Sequence, residues 1–280
     1  MTKLRIMSNN VWWCTSNSEA WAAIGADCSN EVRAVGFARV YKELQPDIIG
    51  LQECAARMYS ELFAVLAEQD SPYAVLWGKD TPILYRKDKF EIIDSDVLIY
   101  PENIPDYEGC FNNLKTKSYC MAVLRMKQTG EKIVFGTTHL MYRSGDPASP
   151  SYLPFVNEAR AWQLGQMMDK AEEFQKKYDC PVVLVGDLNT WPASLALNNA
   201  NERGFIHAHD IATDYAEEIS GMHKCDQSGF DTQPAEGGFA RSIDHILIKG
   251  DLTVRRFERY YPDYYMPLSD HFPTYVDIEL

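Results

Sequence analysis

The chain has 280 residues, 46% of them hydrophobic, enough to bury most of its apolar surface in one large sandwich or barrel over residues 1–280 without a second domain. With 40 acidic against 27 basic side chains the formal net charge is −13, which argues against sequence-independent gripping of a nucleic-acid backbone. A bound divalent cation and a local basic patch would still reverse the sign within a site, and no segment approaches a transmembrane span.

Residues 4–9 and 47–52 read as strands. Between them, residues 31–44 carry Val32, Val35, Val40 and Leu44 at helical spacing, and Pro46-Asp47 stops that helix. A second helix is predicted over residues 55–69, then strands at 73–77 and 83–85 and a strand-rich stretch over 89–100. Residues 101–117 are polar and rich in Pro, Gly and Asn, so they read as an irregular excursion. Strands at 119–126 and 132–138 are joined by Gln-Thr-Gly, which suits a hairpin. Residues 143–154 are loop by composition. The longest helical pattern, 156–177, follows, and then the buried strand Pro181-Val-Val-Leu-Val-Gly. A short helix at 193–202, a mostly irregular region at 214–241 and strands at 243–248, 252–256 and 274–278 complete the chain. Strands outnumber helices and several neighbours look antiparallel, so the fold class is α/β with mixed sheets in a sandwich. There is no solenoid repeat and no glycine-rich phosphate loop.

The seven cysteines are odd in number and widely spaced, with no Cys-x-x-Cys, which favours reduced thiols; Cys54 and Cys180 read as small buried hydrophobes. The N-terminus runs straight into a strand with no apolar signal region, so the expected compartment is the cytoplasm and no stable membrane insertion is expected.

Three segments carry the chemistry. Val-Gly-Asp187-Leu-Asn189 follows an apolar run, Leu-Ser-Asp270-His271-Phe-Pro lies near the C-terminus, and Pro46-Asp-Ile-Ile-Gly-Leu-Gln-Glu53 supplies a further carboxylate where a strand meets a loop. Open α/β sheets place their sites at such ends. Each has a plainer reading: Glu53 as a surface acid, Asp187-Leu-Asn189 as an Asx-turn, Asp270-His271 as a buried structural hydrogen bond and Asn10 as a turn cap. Together they point to metal-assisted attack on phosphorus.

In chain order, Ser8-Asn9-Asn10-Val11, Leu51-Gln52-Glu53, Thr138-His139-Leu140, Gly186-Asp187-Leu188-Asn189, Ser242-Ile243-Asp244-His245 and Ser269-Asp270-His271-Phe272 resemble the motifs of the endonuclease/exonuclease/phosphatase superfamily. The resemblance spans nearly the whole chain. It implies a four-layered sandwich, two mixed β-sheets packed face to face and flanked by helices, with the site at one edge. It also implies a Mg²⁺- or Mn²⁺-dependent phosphoesterase.

In that scheme Glu53 is the principal ligand of a hard cation, Asn10 supports the ion or its water shell, and Asp270 completes or neighbours the metal site. Asp187 takes the proton of the attacking water and Asn189 holds a phosphate oxygen from the same side of an extended segment. His271 donates to the phosphoryl group, with Asp244 fixing its tautomer and raising its pKa. His139 is the second histidine over the phosphate. Every core position is filled, which ranks a catalytically silent relative acting as a binding or interaction module second.

Among the other residues, Trp13 and Trp191 are expected to line the cleft, and Arg143 and Arg241 are candidate phosphate clamps. Tyr260, Tyr261, Tyr264 and Tyr265 are stacking candidates whose plainer role is packing at the rim. His207 and His209 read as exposed loop residues rather than zinc ligands, and His245 should point away from Asp244. The expected substrate is a phosphorylated small molecule or single-stranded nucleic acid, with no obligate protein partner.

Overall fold

The computed structural model describes residues 1–13, 25–112, 117–215, 242–265 and 267–280. Strand β1 (Lys3–Asn10) is buried along its last five residues because it runs through the middle of a sheet, parallel to β2 (Ile48–Gln52) on one side and antiparallel to β13 (Thr274–Glu279) on the other. With β3 (Tyr73–Leu76), β4 (Ile83–Arg86), β10 (Asp214–Tyr215) and β12 (Thr253–Arg259) they form a seven-stranded sheet in the order β10-β12-β13-β1-β2-β4-β3. The second sheet has six strands: β5 (Phe90–Ile99), β6 (Ser118–Met126), β7 (Lys132–His139), β8 (Val182–Asp187), β11 (Asp244–Lys249) and β9 (Ile206–His207), in that spatial order.

Each sheet buries both faces, which is why its central strands read as apolar runs rather than alternating ones. One cluster fills the space between the sheets, including Ile6, Ile48, Phe135, Val183, Val185, Ile246 and Val276. The outer face of the seven-stranded sheet is covered by α1 (Asn30–Leu44) and α2 (Ala56–Glu68), through Phe37, Tyr41, Met58 and Leu62 against Met7, Ile49 and Tyr275. The outer face of the six-stranded sheet is covered by α3 (Val156–Tyr178) and α4 (Leu195–Glu202), through Leu164, Met167, Ala196 and Ala200 against Met121, Val134 and Leu184. The result is four layers, helix, sheet, sheet, helix.

Helix α1 opens where the Ser29 side chain accepts the Val32 N–H and ends at Gln45, which takes a left-handed conformation just before Pro46. Its buried face matches the predicted one only in part, for Val40 is buried and Leu44 packs against the same cluster. Val32 and Val35 are 44% and 54% exposed, while Arg33, Ala34, Phe37 and Tyr41 point inward. The two aromatics and the small alanine set the face that packs, and the β-branched pair is left to solvent.

The sheets approach closely beneath one edge of the sandwich. A Cβ on Gly50 would stand 2.5 Å from Val185 Cγ2 and 2.7 Å from Thr137 Cβ, so glycine alone fits that crossing. Beside it the buried Gln52 donates to Thr137 Oγ1 at 2.9 Å, and Thr137 Oγ1 donates to Leu51 O at 3.2 Å, a polar tie between the sheets. The elements missing from the sequence reading are β9, β10 and α5 (Ala208–Ile211), each too short to show a period. No helix among the described residues is long and apolar enough to cross a membrane.

Candidate active site

Register brings the titratable residues of the second sheet into line. His139 ends β7 opposite Asp187 at the end of β8, and Asp187 pairs on its other side with Asp244 at the start of β11. From the first sheet, Asn10 ends β1 opposite Gln52, and Glu53 follows directly. His271 comes just ahead of β13. All six therefore meet where strands give way to loops at one edge of the sandwich, the side where open sheets place ligands.

The loops that present them are conformationally demanding. Glu53 and Asn189 both have positive φ, 57° and 50°, which non-glycine residues adopt only when surrounding contacts hold them. Glu53 Oε2 accepts the Trp13 N–H at 2.5 Å, and Asp187 Oδ1 accepts the Asn189 N–H at 2.9 Å. The Asx-turn and the site are thus one arrangement. Asn189 leaves the extended path expected of it, and its Nδ2 donates to Leu140 O at 3.1 Å.

Asp187 Oδ2 is the hub. It accepts from Asn10 Nδ2 at 3.1 Å, and the same amide donates to Glu53 Oε1 at 3.3 Å. His139 Nε2 lies 3.6 Å and His271 Nε2 3.8 Å from it. On its far side the His271 ring donates from Nδ1 to Asp244 Oδ2 at 2.9 Å, which leaves Nε2 facing the cluster. Glu53, His139 and Asp187 offer ligand atoms within 4.8 Å of one another, and so do Asp187, Asp244 and His271. Asp270 stands outside both groups; its buried Oδ1 has no hydrogen-bond partner and lies 4.0 Å from His271 Nε2.

Burial decides the charges. It pushes the Asp187 carboxyl up to about 7, with His271 opposing and Asp244 reinforcing the rise, and it pushes Asp270 up to about 6. Burial would pull His271 down, but Asp244, Asp187 and Asp270 together outweigh it and hold the imidazolium well above its ordinary value. His139 goes the other way, pulled well below 6.5 by burial and then by Lys117. One histidine is kept charged and the other neutral.

Lys117 and Asp80 are site residues that sequence reading missed. Lys117, 3% exposed, approaches His139 Nε2 and faces Glu53, Asp187 and Asp80. With Nε2 accepting from the ammonium, the His139 proton sits on Nδ1, which faces Asp80 Oδ2 at 3.9 Å. Asp80 Oδ1 accepts from the Ser118 hydroxyl at 3.2 Å. Lone residues in a turn and in an irregular excursion carry no periodic or motif signal.

Two buried arginines brace the surrounding backbone. Arg33 on α1 donates to Leu268 O at 2.6 Å, to Trp12 O at 2.8 Å and to Val11 O, tying the loop after β1 to the approach of β13. Arg160 on α3 donates to Met141 O at 2.7 Å and to Arg143 O, fixing the loop after β7. Both sit within the first turns of helices whose apolar pattern drew all the attention.

The remaining candidates separate. Trp13 and Trp191 are 40% and 51% exposed beside the loops of Glu53 and Asp187. Arg143 lies past His139 with its ring neighbour Tyr142 5.1 Å away. Arg241 lies outside the described residues, as does most of the 214–241 region. The tyrosines near Asp270 pack toward α1: Tyr260 donates to Glu43 Oε2 at 2.9 Å, Tyr264 also donates to it, and Tyr265 donates to Asn9 Oδ1 at 2.7 Å.

The expectation of exposed loop histidines is overturned. His209 is 2% exposed within α5, while His207 ends β9 and its Nε2 meets His245 Nδ1 at 2.8 Å. His245 Nε2 in turn donates to Thr190 O at 2.8 Å, and His207 Nδ1 accepts the His209 N–H at 3.2 Å, so one orientation of protons satisfies the whole row. Pairing of β9 with β11 creates this row, and spacing along the chain does not reveal it.

A family model described as the Endonuclease/Exonuclease/phosphatase family matches residues 10–271. A search of curated proteins finds no match. Among solved structures, the chain is similar to an endonuclease/exonuclease/phosphatase from Bacteroides vulgatus, at 22% identity and TM-score 0.74, covering 100% of both chains. It is similar to a Bacteroides thetaiotaomicron mannosyl-6-phosphatase at 20% identity and TM-score 0.70, covering 99% of this chain and 100% of that one. It is also similar to D. rerio TDP2 complexed with a single-strand DNA product, at 18% identity and TM-score 0.64 with 100% of both chains covered.

Proposed function

The chain belongs to the endonuclease/exonuclease/phosphatase family, hydrolases of phosphoester bonds, and from that premise we propose that it is a divalent-metal-dependent phosphoesterase that directs water at phosphorus with Asp187 and stabilises the displaced charge with His271. The observation that carries the reading is the Asp244–His271 pair, 2.9 Å apart and facing Asp187 Oδ2 at 3.8 Å. A base and an acid, poised in opposite charge states, then converge on one small volume.

The donor set fits a hard cation. Asp80, Glu53, Asp187, Asp244 and Asp270 outnumber Lys117 and the His271 imidazolium, so the cluster carries surplus negative charge together with buried carboxylate oxygens lacking hydrogen bonds. Glu53 and Asn10, with the Asp187 carboxylate beside them, would hold Mg²⁺ or Mn²⁺. Bound there, the ion supplies charge neutralisation at the phosphoryl oxygens.

The protein's own groups do the rest. Asp187, shielded from solvent and anchored through Oδ1 to the Asn189 N–H, keeps Oδ2 toward the cluster to accept a proton from water. His271, fixed by Asp244 through Nδ1, presents Nε2–H to the oxygen on which charge builds. Lys117 adds a buried positive charge on the His139 side. The substrate is a phosphorylated small molecule or a single nucleic-acid strand, and the overall charge of −13 favours the former.

The test is hydrolysis of p-nitrophenyl phosphate and bis-p-nitrophenyl phosphate with Mg²⁺, with Mn²⁺ and with chelator, by wild type and Asp187→Ala. Turnover that needs metal and disappears in the variant supports the reading, and the preferred ester assigns monoesterase or diesterase. Metal-independent turnover, or an Asp187→Ala enzyme as active as wild type, refutes it.

A further inference from the structure

Between Lys117 and the loop after β7 lies a cavity of about 410 Å³, lined by Asn112, Lys117, Met141, Tyr142, Arg143 and Tyr152 among others. It adjoins the His139 side of the site through Lys117. In a chain of net charge −13, no carboxylate is among its described lining residues. Lys117 is turned toward His139 and the acids around it. The cation left facing this cavity is Arg143, whose guanidinium makes no hydrogen bond or ion pair among the described residues and rests 5.1 Å from the Tyr142 ring.

Structure is invested in holding that arginine still. Its backbone carbonyl is gripped by the buried Arg160, so the side chain springs from a fixed root. Nearby, Asn112 is 4% exposed and its Nδ2 is tied to Tyr100 O, which fixes that part of the cavity wall. Tyr142 and Tyr152, 56% and 42% exposed, offer ring faces at the mouth. An anion binder and two aromatic faces suit a phosphorylated sugar ring with a second anion.

We propose that this cavity is a second-anion subsite that takes a sugar or polyol phosphate bearing a further phosphate or carboxylate. Arg143 binds the further anion, Tyr142 and Tyr152 flank the ring, and the ester to be cleaved lies at Asp187 and His271. The assignment rests on the phosphoesterase reading and narrows its substrate class.

Two readouts keep the ideas separable. Binding of glucose 1,6-bisphosphate and of glucose 6-phosphate to the full chain with Mg²⁺ is measured by calorimetry. In parallel, kcat/KM for each is compared between wild type and Arg143→Gln. The bisphosphate should bind about tenfold more tightly, as one charge-assisted bidentate contact predicts. Arg143→Gln should bring the two affinities together, with the kinetic change falling in KM rather than kcat. Equal affinities in wild type, or an advantage that survives Arg143→Gln, overturns the subsite while leaving the phosphoesterase intact. Faster cleavage of a single-stranded oligonucleotide than of either sugar phosphate assigns the cavity to nucleic acid and overturns it too. Bisphosphate selectivity that depends on Arg143, without any metal-dependent turnover, upholds the subsite and refutes the phosphoesterase.

Discussion

Replacing Asp244 by Asn removes a charge while keeping nearly the same shape, and its consequences follow from one contact. Asp244 Oδ2 accepts the His271 Nδ1–H at 2.9 Å, with both side chains almost wholly buried. Burial pulls His271 toward the neutral form, and the Asp244 carboxylate is the first of the groups that oppose it. Without it burial is opposed by Asp187 and Asp270 alone, so the imidazole should give up its proton at a lower pH than in wild type. Loss of orientation adds to this, and removal of a general acid costs about 10²–10⁴-fold in kcat. The assay is the pH dependence of kcat with a p-nitrophenyl ester and saturating Mg²⁺. The alkaline limb should move to lower pH in Asp244→Asn and activity should partly return on acidification. Stability should shift in the same sense. A group whose folded pKa is raised contributes stability that is fully present below the unfolded value of about 6.5 and is lost as pH rises through the folded value. The variant's deficit in urea unfolding should therefore be largest in mildly acidic buffer and shrink toward alkaline pH. An unmoved alkaline limb with less than about tenfold loss of kcat would refute the role given to His271.

Two further substitutions probe the scaffold behind the site. His245→Leu strips the donor from Thr190 O and the acceptor from His207, leaving buried groups unpaired, and should cost about 1–3 kcal/mol in urea unfolding. It should also lower kcat by loosening the segment that carries Asn189, and His245→Gln should restore part of both; wild-type values for the Leu variant would show that the row is inert. Gly186→Ala should be worse, because a Cβ there would stand 2.1 Å from the Thr138 carbonyl oxygen in the parallel β7–β8 ladder, at φ 154°. Loss of soluble folded protein, or a fall in Tm well beyond that of His245→Leu, is the expected result in thermal unfolding.

The four-layer arrangement was legible because its signals are long. Runs such as residues 181–186 and the 23-residue helix α3 leave a clear period or its absence, and the six motifs fall at strand ends in chain order. What remained hidden depends on pairing. His139, Asp187 and Asp244 become neighbours only through the β7–β8–β11 register, and the His207–His245 contact only through β9 against β11. Lys117, Asp80, Arg33 and Arg160 hydrogen-bond to or face groups that come from other strands and loops. Their value lies in three-dimensional proximity, which no spacing along the chain encodes. The misread face of α1 has a related cause, since Val32 and Val35 satisfy the helical period as well as Phe37 and Tyr41 do, and only packing against β1 and β2 chooses between them.

The same convergence makes the site a burden on the fold that bears it. Asp187 is pushed up to about 7 and Asp270 to about 6, above their ordinary 3.8, chiefly because burial penalises the carboxylate. Between about pH 4 and 7 the folded state then binds more protons at these groups than the unfolded chain does, so their contribution falls as pH rises through the folded values and stays lost above them. A divalent cation that binds only the folded protein returns stability by RT ln(1 + [L]/Kd), about 2.7 kcal/mol at a hundredfold excess over Kd. Removing the charge should do the same by another route. Metal-free Asp187→Asn should thus melt higher than metal-free wild type at pH ~7.5, by about 2 °C for each kcal/mol regained in a chain of this size, and should gain less from Mg²⁺. Near pH 5, where wild-type Asp187 is already largely protonated when folded, the difference should narrow. Scanning calorimetry of both proteins with chelator and with Mg²⁺ decides the matter. If the variant melts lower than wild type in chelator at both pH values, Asp187 is a structural hydrogen-bond acceptor first, and the electrostatic cost assigned to the buried cluster is wrong.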